Sequence, residues 1–171
     1  MLMALSPEKI DSIEAKAADT LDFAYTDGKL ELPINLEKVA VSYGLEIKNA
    51  TFKNPDVVGF YDRNSKKIYV DKNDPFGRKS FTIAHELGHH ILHQEKTSDV
   101  FLRLDTLNLD LQDKEDETEA NWFAASLLMP KKILSAYWEK IHDVEILAQI
   151  FGVSKTAMVW RLKNLGFTDS I

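Results

Sequence analysis

The sequence predicts an α+β domain with a small antiparallel sheet. Helical periodicity fills both ends of the chain, strict apolar alternation is confined to the middle, and turn residues separate the two. The 171 residues, 44% hydrophobic and 28% charged, suit one core. Lys and Arg number 21 against 27 Asp and Glu, a formal net charge of −6 that argues against a general binder of nucleic acid or membrane surface. The absence of cysteine excludes a disulfide framework, a cysteine-held metal and a thiol nucleophile. Met1 to Leu5 is too short an apolar run for a signal peptide, and nothing approaches the roughly 18 residues of a membrane span. The expectation is a soluble cytoplasmic protein with no membrane partner.

Ser6 and Pro7 form an N-cap and first-turn pair, and Ile10, Ile13, Ala17, Leu21 and Ala24 follow at helical spacing to about Tyr25. Asp27-Gly28 breaks that helix. A short helix is expected over 35–43, ended by Gly44, and a strand over 45–50. Val58, Phe60, Ile68 and Val70 alternate about an Arg63-Asn64-Ser65 turn, the pattern of a β-hairpin over 57–71. Asp74-Pro75 reads as another cap pair before a helix from about Phe76 to His93. Between 94 and 112 leucines alternate with polar residues, which suggests an edge strand within a long loop. Helices are then expected from Asp113 to Met129, from Pro130 toward Lys140, over 143–151 and over 154–165.

His85-Glu86-Leu87-Gly88-His89 fits H-E-x-x-H on a segment independently read as helical. At about 100° per residue the two histidines lie about 40° apart and one turn along the axis, so both rings reach one ion. Glu86, on the neighbouring flank, is placed to touch a water held by that ion. Zinc suits such ligands and brings the pKa of its water to roughly 7, where a carboxylate can act as general base. Coincidence is the competing reading, but chance gives only roughly 0.01 such matches in a chain of this composition. Ile83, Ala84, Ile91 and Leu92 would bury the helix's other face.

A catalytic zinc site needs a third protein ligand. His93 lies two turns from His85, too far for one straight helix to bring all three rings to one ion, and His90 points off the metal face. The better source is the acidic run from Asp113 to Glu119. Glu117 stands out there, because Asn121 follows on the same face and could hold a ligating histidine by its free ring nitrogen. Glu115 and Glu119 lie about 200° around the helix from it. Spacing alone leaves Glu117 evenly balanced against a solvated acidic face that stabilises a helix start.

Two blocks carry a family resemblance. The run from Phe81 to His89 (FTIAHELGH) and that from Glu117 to Pro130 (ETEANWFAASLLMP) resemble the ImmA/IrrE family of zinc metallopeptidases, whose second block reads E-x-x-A-N/D-x-F-A-x-x-L-L-M-P. The hairpin before the first block and the closing helices are similar too, so the resemblance covers about residues 35–166. It implies a zincin-like fold and a gluzincin-like site: Zn2+ on His85, His89 and Glu117, Glu86 as general base, and Asn121 behind a ligand. It also implies an endopeptidase that cuts a helix-turn-helix repressor. Domain organisation follows as a helical extension over 1–30 and a metallopeptidase domain over 31–171.

Three further features need weighing. The helix pair at 143–166, with Ala148, Gly152, Val153 and Ser154, matches helix-turn-helix spacing. Its only basic residues, Lys155, Arg161 and Lys163, are offset by Asp143, Glu145 and Asp169, and Met158, Val159 and Leu162 give it an apolar stripe. That balance argues against direct nucleic-acid binding. Tyr61 and His142 are candidate oxyanion donors between which the sequence offers no choice. An exposed edge within Phe101 to Leu111 would suit an extended substrate, although a covered edge is the simpler reading.

Overall fold

The computed structural model describes residues 5–54, 57–94, 100–104 and 111–167. Helix α1 (Pro7–Leu21) opens as its sequence demands: Pro7 sits in the first turn and the Ser6 hydroxyl accepts from the Lys9 N–H. It buries Ile13, Ala17, Thr20 and Leu21. A 3-10 turn at Asp22–Ala24 follows. Asp27 (φ 50°) and Gly28 (φ 73°) then reverse the chain, with Thr26 and Lys29 exchanging 2.9 Å backbone bonds. Helix α2 (Leu36–Ser42) is capped by Asn35, which accepts from the Lys38 N–H at 3.0 Å.

The strands are β1 (Glu46–Ala50), β2 (Val57–Asp62), β3 (Lys67–Asp71) and β4 (Val100–Leu104), in the order β1-β3-β2-β4. The expected hairpin is present, with Tyr61 opposite Ile68, and the Asp62 carboxylate accepts from the Asn64 and Ser65 N–H groups in the turn. The sheet is mixed, however, not antiparallel as expected: β1 runs parallel to β3. Alternation reports which face of a strand is buried but not which neighbour it takes. Because the tight hairpin places β3 beside β2, β1 joins on the far side of β3. Strand β4 pairs antiparallel with the other edge of β2, where the alternating stretch begins. Residues 105–110 of that stretch lie outside the described residues, and Leu111 is already helical.

Helix α3 (Phe76–Leu92) lies across this sheet and α4 (Leu111–Leu128) packs on it. Asp74 does not cap α3; Pro75 takes that position, and Asp74 pairs with Arg78 at 3.5 Å. Two glycines set how closely α3 is held. A Cβ on Gly59 of β2 would collide with Thr82 and stand 2.9 Å from the Tyr69 carbonyl oxygen. A Cβ on Gly88 would stand 3.2 Å from both Ala120 Cα and Phe123 Cδ1. Fully buried Ala84 and Ala124, one turn before Gly88 and one turn after Ala120, keep the seam thin.

Helices α5 (Lys131–Trp138), α6 (Val144–Phe151) and α7 (Lys155–Asn164) close the chain. Asp143 and Ser154 cap the last two, and Gly152 (φ 64°) makes the left-handed turn between them. Leu87, Phe123, Leu127, Leu147, Phe151, Met158 and Leu162 form one core, which also takes in Ile13 and Ala17 of α1. Among the described residues no helix is long and apolar enough to cross a membrane.

Candidate metal centre

The thin α3–α4 seam brings the two sequence blocks together. His85 and His89 point from one face of α3 toward Glu117 of α4; the histidines are 0% and 2% exposed. His85 Nε2 lies 3.0 Å from His89 Nε2, Glu117 Oε2 lies 3.1 Å from the first, and Glu117 Oε1 lies 3.0 Å from the second. On the opposite edge of its ring, His85 Nδ1 is 3.0 Å from Asn121 Oδ1. A carbonyl oxygen only accepts, so the proton sits on Nδ1 and Nε2 presents a lone pair. The His85 Nε2 lone pair therefore faces the Glu117 carboxylate and His89 Nε2, an arrangement that a cation relieves.

The donor chemistry fits a metal. Ligands about 2.0–2.1 Å from a tetrahedral ion stand roughly 3.4 Å apart, close to the separations above. Burial pushes the Glu117 carboxyl up, but when His85 and His89 carry protons in place of an ion their hydrogen bonds and charge outweigh burial and hold the group well below the usual carboxylate range. Positive charge at this point, whether from protons or from an ion, favours the ionised form that a ligand needs. Three donors would leave a tetrahedral ion with an open position. Glu86 follows His85 on α3 and is fully buried.

The remaining sequence candidates separate cleanly. Neither suggested oxyanion donor joins the group: the buried Tyr61 hydroxyl meets His90 Nδ1 at 2.8 Å, and exposed His142 lies against the Trp138 ring. His90 thus turns away from the metal face, as expected. Of the acidic trio only Glu117 reaches the histidines. Glu119 is buried behind them beside His93, a placement that sequence reasoning missed. The available signal was His93 standing one turn beyond His89. Among the described residues, cavities beside the seam include an apolar one of about 390 Å³ at Asn121, Phe81 and Trp160 and a polar one of about 750 Å³ at His93, Glu119 and α1.

Fold and site together define a small α+β protein with a His-His-Glu group suited to a metal ion. The chain belongs to the peptidase M78 family, described as the IrrE N-terminal-like domain, whose model matches residues 40–163. It is 30% identical over 112 residues to an uncharacterized immunity region protein 2 of Bacillus phage phi105, across 64% of this chain and 67% of that one. It is 27% identical over 108 residues to the metallopeptidase ImmA of Bacillus subtilis strain 168, across 62% of each. A solved Mycobacterium tuberculosis transcriptional regulator shares the fold, with a TM-score of 0.62 and 17% identity over 92% of this chain and 47% of that chain. The match thus spans about two thirds or less of each relative. Family membership and the donor set support a metallopeptidase.

Proposed function

We propose that this protein is a zinc-dependent endopeptidase that cuts a regulatory protein, a helix-turn-helix repressor, at a specific bond. The observation that carries the reading is the convergence of His85 Nε2, His89 Nε2 and the Glu117 carboxylate, with buried Glu86 adjoining His85 on the same helix. His85, His89 and Glu117 would hold the ion. When bound, zinc supplies a Lewis acid that polarises a peptide carbonyl and acidifies water near neutral pH. The Glu86 carboxylate takes a proton from the attacking water and returns it to the leaving amine. Asn121 Oδ1 fixes the His85 ring by accepting from Nδ1–H.

The choice of substrate is supported by the relatives' names, an immunity region protein and the metallopeptidase ImmA, and by the family blocks. In this reading residues 31–171 are the catalytic unit, residues 1–30 a helical extension, and the protein acts in the cytoplasm. The test compares new protein N-termini in a lysate of the source cells treated with zinc-loaded wild-type chain or with Glu86→Gln. The reading expects a small set of termini, including one within a repressor, that appears only with wild type. No difference between the two zinc-loaded proteins would contradict it and favour a partner that binds without cutting.

A further inference from the structure

The two histidines of the metal group are supported from behind in different ways. His85 rests on a neutral amide, Asn121. His89 rests on a chain of charged and titratable groups that leads away from the seam. Its Nδ1 lies 3.1 Å from His93 Nδ1. His93 Nε2 lies 3.3 Å from Glu119 Oε2 and 3.7 Å from Asp116 Oδ1. Glu119 Oε1 in turn meets Lys9 Nζ of α1 at 2.6 Å. His93, Asp116 and Glu119 are 7%, 5% and 5% exposed.

The direction of the hydrogen bonds follows from the metal group. His89 Nε2 must offer a lone pair to an ion, so the ring proton sits on Nδ1 and donates. His93 Nδ1 is then the acceptor, and the His93 proton lies on Nε2, where the Glu119 carboxylate waits. Lys9 donates to the other Glu119 oxygen. This assignment gives each contact one donor and one acceptor, and it makes Glu119 a remote anion acting on His89 through an imidazole. A carboxylate so placed fixes the ring of a ligating histidine through the imidazole between them.

We propose that His93 and Glu119 are positioning residues of the metal centre, and that Lys9 on α1, outside the segment matching the family model, completes their chain. The proposal rests on the metal reading above. The N-terminal helix is thereby part of the metal centre as well as of the core.

The test measures zinc affinity of the full chain by competition with a chromophoric chelator, alongside thermal melting of the zinc-free protein. Glu119→Gln and His93→Phe should each raise the zinc dissociation constant about 10- to 100-fold. His93→Gln, whose amide can accept from His89 and donate to Glu119, should recover most of that loss. Lys9→Met removes a half-exposed ion pair and should cost about two- to fivefold. Melting shifts in Glu119→Gln and His93→Phe with zinc affinity within about twofold of wild type would overturn the proposal, because a packing role predicts that split. Unchanged affinity in Lys9→Met alone would remove α1 from the chain. A wild-type protein that binds no zinc would overturn the metal reading beneath it, a failure separate from equal binding by all variants.

Discussion

Among the described residues, Arg161 and the α3–α4 seam both bury charge or charge-bearing groups, and the two are built differently. Arg161 of α7 is fully buried, with Nε donating to the Met129 carbonyl at 3.1 Å and Nη1 to Glu14 Oε1 at 2.9 Å. Burial pushes the guanidinium pKa down and Glu14 pulls against it. Donors there meet acceptors, and the result is a brace between α1 and the C-terminal helices. In the α3–α4 seam, by contrast, His85 Nε2 and His89 Nε2 lie 3.0 Å apart and both face the Glu117 carboxylate, while the opposite ring edges meet Asn121 and His93. A buried charge by itself therefore does not mark a functional site. Ligand atoms of three side chains converging within reach of one ion make the candidate.

Substitutions can separate the brace from the seam. The largest effects belong to the seam: Glu86→Gln should retain zinc yet lose roughly 10²- to 10⁴-fold in peptide cleavage, read from the proteolysis product set. Glu117→Ala should weaken zinc binding by more than about 100-fold, beyond the usual cost of losing an outer partner. Arg161→Met should leave zinc affinity intact while destabilising the zinc-free protein by about 2–3 kcal/mol in urea titration, since Glu14 keeps some access to water. Gly88→Ala tests both regions, because the new methyl presses on Ala120 and Phe123. A stability loss of about 1–3 kcal/mol and weaker zinc binding are expected as α4 moves away. Ser154→Ala, which removes the α7 cap, is the smallest at about 1 kcal/mol, with zinc binding unchanged.

Much of this was legible in the chain. Ser6 announces a helix start because capping is local chemistry, Asn35, Asp143 and Ser154 turn out to cap the helices expected from those positions, and the hairpin follows from alternation around a polar turn. The H-E-x-x-H spacing reports a shared helix face in the same local way. What crosses between elements was harder to read. The parallel pairing of β1 with β3 depends on which sheet edge is free, and alternation does not encode that. Asp74 reads as a cap yet pairs with Arg78, since Pro75 already holds the capping position. Asn121 one turn later singles out Glu117, but only the block resemblance weighs it above a solvated acidic face. The contact of Glu119 with His93 and Lys9 depends on how three helices pack, and no spacing within one of them predicts it.

The most direct measurement is zinc content per chain after exhaustive dialysis, by elemental mass spectrometry, on wild type, Glu117→Ala and Arg161→Met. One zinc per chain in wild type and Arg161→Met, with none retained by Glu117→Ala, is the predicted result. Zinc kept by Glu117→Ala, or absent from the wild type, would contradict the assignment of the α3–α4 seam as a metal centre.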